Sequence, residues 1–133
     1  MSEEKKIKVV LLEPGKLART AEIGTSIEDL QNAVDGLIEP FYPFEEQVCI
    51  VCNDEGKING MLPNRSVKNK DGVMVDFIFG PAFICDCRGE SFDSLSDEQI
   101  ARYTKMFRYP EHLARVNGTL FGIPYRPQPE QER

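Results

Sequence analysis

Tryptophan is missing from this 133-residue chain, histidine occurs once, and apolar runs last only a few residues. Each absence excludes something. No stretch approaches the roughly 20 apolar residues of a membrane-spanning helix. The start, MSEEKKIKVVLL, has too short an apolar part for a secretion signal. The cytoplasm is therefore the expected compartment, with the four cysteines reduced. One histidine, His112 in YPEHLAR, rules out most metallohydrolase designs, and a surface or helix-end position is expected for it. The chain has no phosphate-binding glycine loop, no dinucleotide-binding glycine pattern, no EF-hand loop and no Gly-x-Ser-x-Gly elbow. Basic residues are outnumbered, 16 Lys and Arg against 22 Asp and Glu, for a net charge of −6. That balance opposes contact with a phosphate backbone or an anionic membrane, so neither a nucleic acid nor a membrane is expected as a partner.

A composition 41% hydrophobic and 29% charged suits one globular domain. It is expected over residues 1–125, followed by a flexible polar tail over 126–133. Ile7 to Leu12 reads as a buried strand, Pro14-Gly15 as a turn, and Lys16 to Ile23 as the return strand of a hairpin. Thr25 or Ser26 opens a helix, Thr25 with Glu28 fitting a capping box. Ile27, Leu30 and Val34 form its inward face, and Gly36 its left-handed stop. Leu37 to Tyr42 reads as a proline-interrupted edge strand. Gln47 to Cys52, Val73 to Phe79 and Ala82 to Cys87 read as further strands. Asn53 to Gly56, Asn59-Gly60 and Asn69 to Gly72 read as turns. Ser96 with Gln99 makes a second capping box, Leu95 with Ile100 a hydrophobic staple, and Ile100, Tyr103 and Phe107 an inner stripe. Pro110 reads as the start of a short third helical turn. Strands in runs with helices inserted predict an α+β fold: a mainly antiparallel sheet with two helices packed on it.

The cysteines form Cys-x-x-Cys (Cys49, Cys52) and Cys-x-Cys (Cys85, Cys87), both inside apolar strand-like runs. Positions three apart on a strand face opposite ways, which does not suit one tetrahedral zinc. The thiols read as small buried hydrophobes, and no metal or other cofactor is expected. Glu28, Asp29, Asp97 and Glu98 belong to first helical turns, and Asp54, Glu55 and Asp71 to loops. Asp76 and Asp86 interrupt strands and are expected to face solvent by alternation, unless one of them pairs with Arg65.

Val48 to Arg65, VCIVCNDEGKINGMLPNR, is the most specified stretch. Pro63 extends its approach, Asn64 can bond local backbone, and Arg65 offers a planar fork for an oxyanion or carboxylate. A structural clamp and a binding role both fit that corner. Asn53, Gly60, Pro63, Asn64, Arg65 and Lys68 are the candidate partner- or ligand-binding residues, and no catalytic residue is assigned.

The order LEPGK, a capped helix, YPF, VCNDEGKING, LPNR, a D-G turn, FIFGPAFIC and SLSDEQIARYTKMF resembles the domain of unknown function 3846 family over about residues 8 to 109. The resemblance implies a small accessory protein of bacteria, bacteriophages or mobile elements, with anti-restriction genes as one setting. It supplies no activity and no catalytic residue. The leading expectation is a non-enzymatic module binding a host protein, the acidic balance suiting a basic target. The alternative is a small anionic ligand, such as a nucleotide, held by Arg65 with Lys68 and Lys70.

Overall fold

The structure is a computed structural model that describes residues 5–127. Strands dominate it. β1 (Lys6–Leu12), β2 (Arg19–Gly24), β3 (Ile38–Phe41), β4 (Val48–Asn53) and β7 (Ala82–Asp86) form one sheet in the order β2-β1-β7-β4-β3. Every pairing in it is antiparallel. The proline-bearing β3 takes an edge, as a strand lacking a donor must. β5 (Pro63–Lys68) pairs with β6 (Met74–Phe79), and β8 (Glu111–Val116) with β9 (Thr119–Pro124), as two separate ribbons. The helices are α1 (Ile27–Val34) and α2 (Asp97–Met106). No helix among the described residues is long and apolar enough to cross a membrane.

Period-2 alternation gives the large sheet two apolar faces. Ile7, Val9, Cys49, Val51, Phe83 and Cys85 pack with Leu30 and Val34 of α1. Val10, Leu12, Val48, Ile50, Ala82 and Ile84 pack on the other face with Tyr103 of α2, Phe107 just after it, and Val67 and Ile78 of the β5–β6 ribbon. The α2 capping box forms as its sequence predicts, with Gln99 N donating to Ser96 Oγ (3.1 Å) and Ser96 N to Gln99 Oε1 (2.9 Å).

Several expectations need correction. Ser26, not Thr25, caps α1, accepting from Asp29 N at 3.0 Å, while Thr25 Oγ1 donates to Lys5 O. Ile27 stays exposed because only Leu30 and Val34 meet the sheet. The left-handed residue closing α1 is Asp35 (φ 65°), one before Gly36. Pro63-Asn64-Arg65, expected as a corner, begins strand β5 (Pro63–Lys68). The third helical turn at Pro110 is absent, and Glu111–Val116 is strand β8. Asn117 (φ 51°) and Gly118 (φ 82°) supply the two positive-φ residues of a tight hairpin turn, and that local preference decides the segment. Asp86 is 3% exposed rather than solvent-facing, because the chain folds back to bridge it to Asp93. Residues 128–133 of the expected tail lie outside the described residues. Arg126 is placed, its Nη2 donating to Tyr109 Oη at 3.3 Å.

Candidate functional site

Strand β5 turns polar side chains inward. Asn64 and Arg65 are both 0% exposed, and Ser66 is buried beside them. A guanidinium carries five N–H donors, and every one here has an acceptor. Nε donates to Phe107 O (2.6 Å), Nη1 to Glu13 O (3.2 Å) and Asn64 Oδ1 (2.5 Å), and Nη2 to Lys16 O (2.6 Å) and Arg108 O (3.3 Å). Asn64 Nδ2 donates to Leu12 O (3.0 Å) and Gly80 O (2.8 Å). The pair therefore joins the β1–β2 turn, the β6–β7 turn and the chain leaving α2. Two of the carbonyls belong to that helix end, where a cation complements the dipole. Burial pushes the guanidinium pKa down to about 10, while Glu111, Tyr125 and Glu13 pull it back up. No carboxylate touches Arg65, and Asp76 and Asp86 pair elsewhere, with Lys57 and Arg88 (2.8 Å each). The guanidinium has no donor left for an incoming anion.

The other candidate residues are dispersed. Asn53 is buried at the end of β4, where Nδ2 donates to Val34 O and Asp35 O (3.1 Å each) and Oδ1 accepts from Glu55 N (2.8 Å). It caps the carbonyl end of α1. Gly60 (φ 69°) lies in an exposed turn, where an added Cβ would meet nothing within 4 Å. Pro63 begins β5 opposite Phe79. Lys68, exposed at the end of β5, lines an open groove.

Cys49 and Cys85 are direct partners across β4 and β7, their Sγ atoms 3.8 Å apart, and Cys52 belongs to the opposite face. Burial pushes the Cys52 and Cys87 thiols up to about 11, which keeps them protonated and poorly nucleophilic. No group of three His, Cys, Asp or Glu side chains among the described residues could hold a metal ion. His112 is on β8, stacked on Tyr125 with ring centroids 4.0 Å apart.

The groove measures about 960 Å³, at the upper end of the range typical of ligand sites. Its apolar side is Phe44, Met106 and Phe107, with Phe44 packed 4.7 Å from the ring of Tyr103. Glu46 fastens the β3–β4 loop to α2 by accepting from Tyr103 Oη, Gln99 Nε2 (3.1 Å) and Arg102 Nη1 (2.6 Å). The Tyr103 hydrogen bond chiefly holds the Glu46 carboxyl below its ordinary value; burial opposes it, and the bonds from Gln99 and Arg102 add to the lowering. Sequence reasoning missed the groove because its walls come from four separate segments. Only the aromatic-acidic run YPFEE hinted at one of them.

The β8–β9 hairpin has two unlike faces. Glu111 reaches toward β5, its Oε1 accepting from Ser66 N at 3.1 Å under Gly122, where a Cβ would meet that oxygen. The opposite face carries Val116, Phe121 and Ile123, each about half exposed (53%, 47% and 47%). The signal for this hairpin in the sequence is Asn117-Gly118 between two apolar-bearing runs.

A mainly antiparallel protein, with two short helices and a buried arginine stitching its turns together, is the class defined by these features. The chain belongs to the family described as domain of unknown function 3846 (DUF3846), whose model matches residues 7–108. No curated protein and no solved structure matches it. The matched segment ends as Arg65's last carbonyl partner, Arg108, is reached, so the hairpin lies beyond it.

Proposed function

We propose that this chain is a non-enzymatic, protein-binding accessory module of a phage or mobile element, acting on a basic host protein. The observation that carries the reading is the outward face of the β8–β9 hairpin. Val116, Phe121 and Ile123 expose apolar side chains on a ribbon that has only two strands. Two-stranded ribbons are marginal alone, and apolar faces of this kind mark interaction sites. The net charge of −6 favours encounter with a positively charged partner. Family membership supplies no activity.

The test compares capture from host lysate by the wild-type chain and by a Phe121→Ser/Ile123→Ser variant, with thermal unfolding as a control for the fold. A basic protein retained by the wild type, released by salt and lost by the variant is the expected result. Equal recovery by both chains overturns the assignment.

A further inference from the structure

The groove between α2 and the β5–β6 ribbon has its own recognition chemistry, and it lies apart from the outward face of the hairpin. Most of its charges are already matched: Arg102 with Glu46 at 2.6 Å and Lys70 with Glu45 at 3.7 Å. Two are not. Neither Lys68 nor Glu111 has an ion-pair partner among the described residues. Glu111 is close enough to favour the charged form of Arg65, yet the guanidinium's donors are spent on other acceptors. Of its two carboxylate oxygens, one accepts from Ser66 N. Ser66 also lines the groove, and its hydroxyl has no hydrogen-bond partner among the described residues.

The spacing of these groups matters. Glu111 is anchored at Ser66, and Lys68 lies two residues further along the same strand, past a shift in its pairing with β6 between Val67 and Lys68. Two residues of strand span about 7 Å. An extended chain presents its alternate side chains at that same repeat. The apolar wall of Phe44, Met106 and Phe107 faces the space between α2 and β5, and Met106 is more than half exposed there.

We infer that the groove takes an extended segment of a protein partner. That segment carries a basic residue for Glu111 and an acidic residue for Lys68 two positions away. A large apolar side chain between them packs on Phe44, Met106 and Phe107. The opposed charges fix the direction of the segment, and the apolar contact supplies the burial. The inference rests on the reading of the chain as a protein-binding module but uses a surface separate from the hairpin's outward face.

The probe is an array of N-acetylated, C-amidated heptapeptides varied at every position, incubated with the wild-type chain, Lys68→Glu and Phe121→Ser. The wild type is expected to select the basic, apolar, acidic order over scrambled controls. Lys68 is exposed, so its replacement leaves the fold intact by thermal unfolding. Lys68→Glu is expected to bind the selected peptides about tenfold more weakly and to prefer a basic residue at the formerly acidic position. Phe121→Ser is expected to keep the wild-type selection. No selection over scrambled peptides, or the same selection by Lys68→Glu, overturns the inference. So does competition by free phenylalanine at the peptide's own affinity, which would make the groove a site for a small zwitterion. If the array selects nothing while the hairpin variant still loses its lysate partner, the groove inference falls and the module reading stands.

Discussion

Residues 63–68, one strand of a two-stranded ribbon, and residues 111–124, a whole two-stranded ribbon, invert one another. The first buries an asparagine, an arginine and a serine. The second turns valine, phenylalanine and isoleucine outward. Either arrangement is costly unless something compensates. For Asn64 and Arg65 the compensation is inside the chain, as six backbone carbonyls and one side-chain contact between them. For the hairpin's outward face the described residues supply none. A buried polar group with every bond made therefore marks architecture, and on the reading proposed above the half-exposed apolar face is the interface.

The contrast can be tested by substitution. Arg65→Met should be the most damaging single change, at about 4 kcal/mol, since it strands several buried carbonyls at once. A urea midpoint measures it, and a loss below about 1 kcal/mol would mean water or neighbours replace the guanidinium readily. Arg65→Lys should fall between, because an ammonium has three donors for five acceptors. Asn64→Ala should cost about 2–3 kcal/mol, as two donated bonds and one accepted bond are lost. Intact stability would show that Gly80 and Leu12 find other donors.

Tyr103→Phe should cost about 1.5 kcal/mol through the lost bond to the Glu46 carboxylate. It also changes acid sensitivity. The Glu46 carboxyl is held below its ordinary 4.5, chiefly by Tyr103. Its contribution is therefore present above pH 4.5 and is lost as pH falls through the lower folded value. The variant should lose less stability than the wild type across that acidic window, measured by thermal unfolding. Parallel pH profiles would remove Tyr103 as the cause. The smallest effect belongs to Phe121→Ser, whose unfolding free energy should fall by only about 1 kcal/mol, because about half of the side chain is exposed. A large loss there would make the hairpin's outer face part of the core and collapse the contrast.

Where side-chain pattern and local chemistry agree, the fold is legible in the sequence. Ile7 to Leu12 and Val48 to Cys52 are apolar runs buried on both faces, and Ser96 with Gln99 places α2 by its own hydrogen bonds. β5 is hidden because PNRSVK has one aliphatic side chain besides its proline, Val67, and fills its inward positions with polar groups. Its partners are carbonyls more than 40 residues away for Arg65, which no local pattern announces. β8 is hidden by a misleading proline, although Asn117-Gly118 marks its turn. At the candidate site, Arg65 stands out for the right chemical reason, its planar fork, while the identity of its acceptors requires the fold. Lys68 is legible as a binding candidate, but the groove it lines draws on loops distant in sequence.

The Arg65 hub also bears on the order of events when the chain folds. Its bonds close one loop back to Glu13 and Lys16 and another forward to Phe107 and Arg108, with separations of 52, 49, 42 and 43 residues. Closing loops of that length is entropically unfavourable until most of the sheet has already brought their ends together. We therefore expect the guanidinium to lock late, once the sheet has brought these ends together. Weakening it should steepen escape from the native state and leave the speed of arrival nearly unchanged. On that account the arginine works as a kinetic latch, setting how long the assembled turns stay shut.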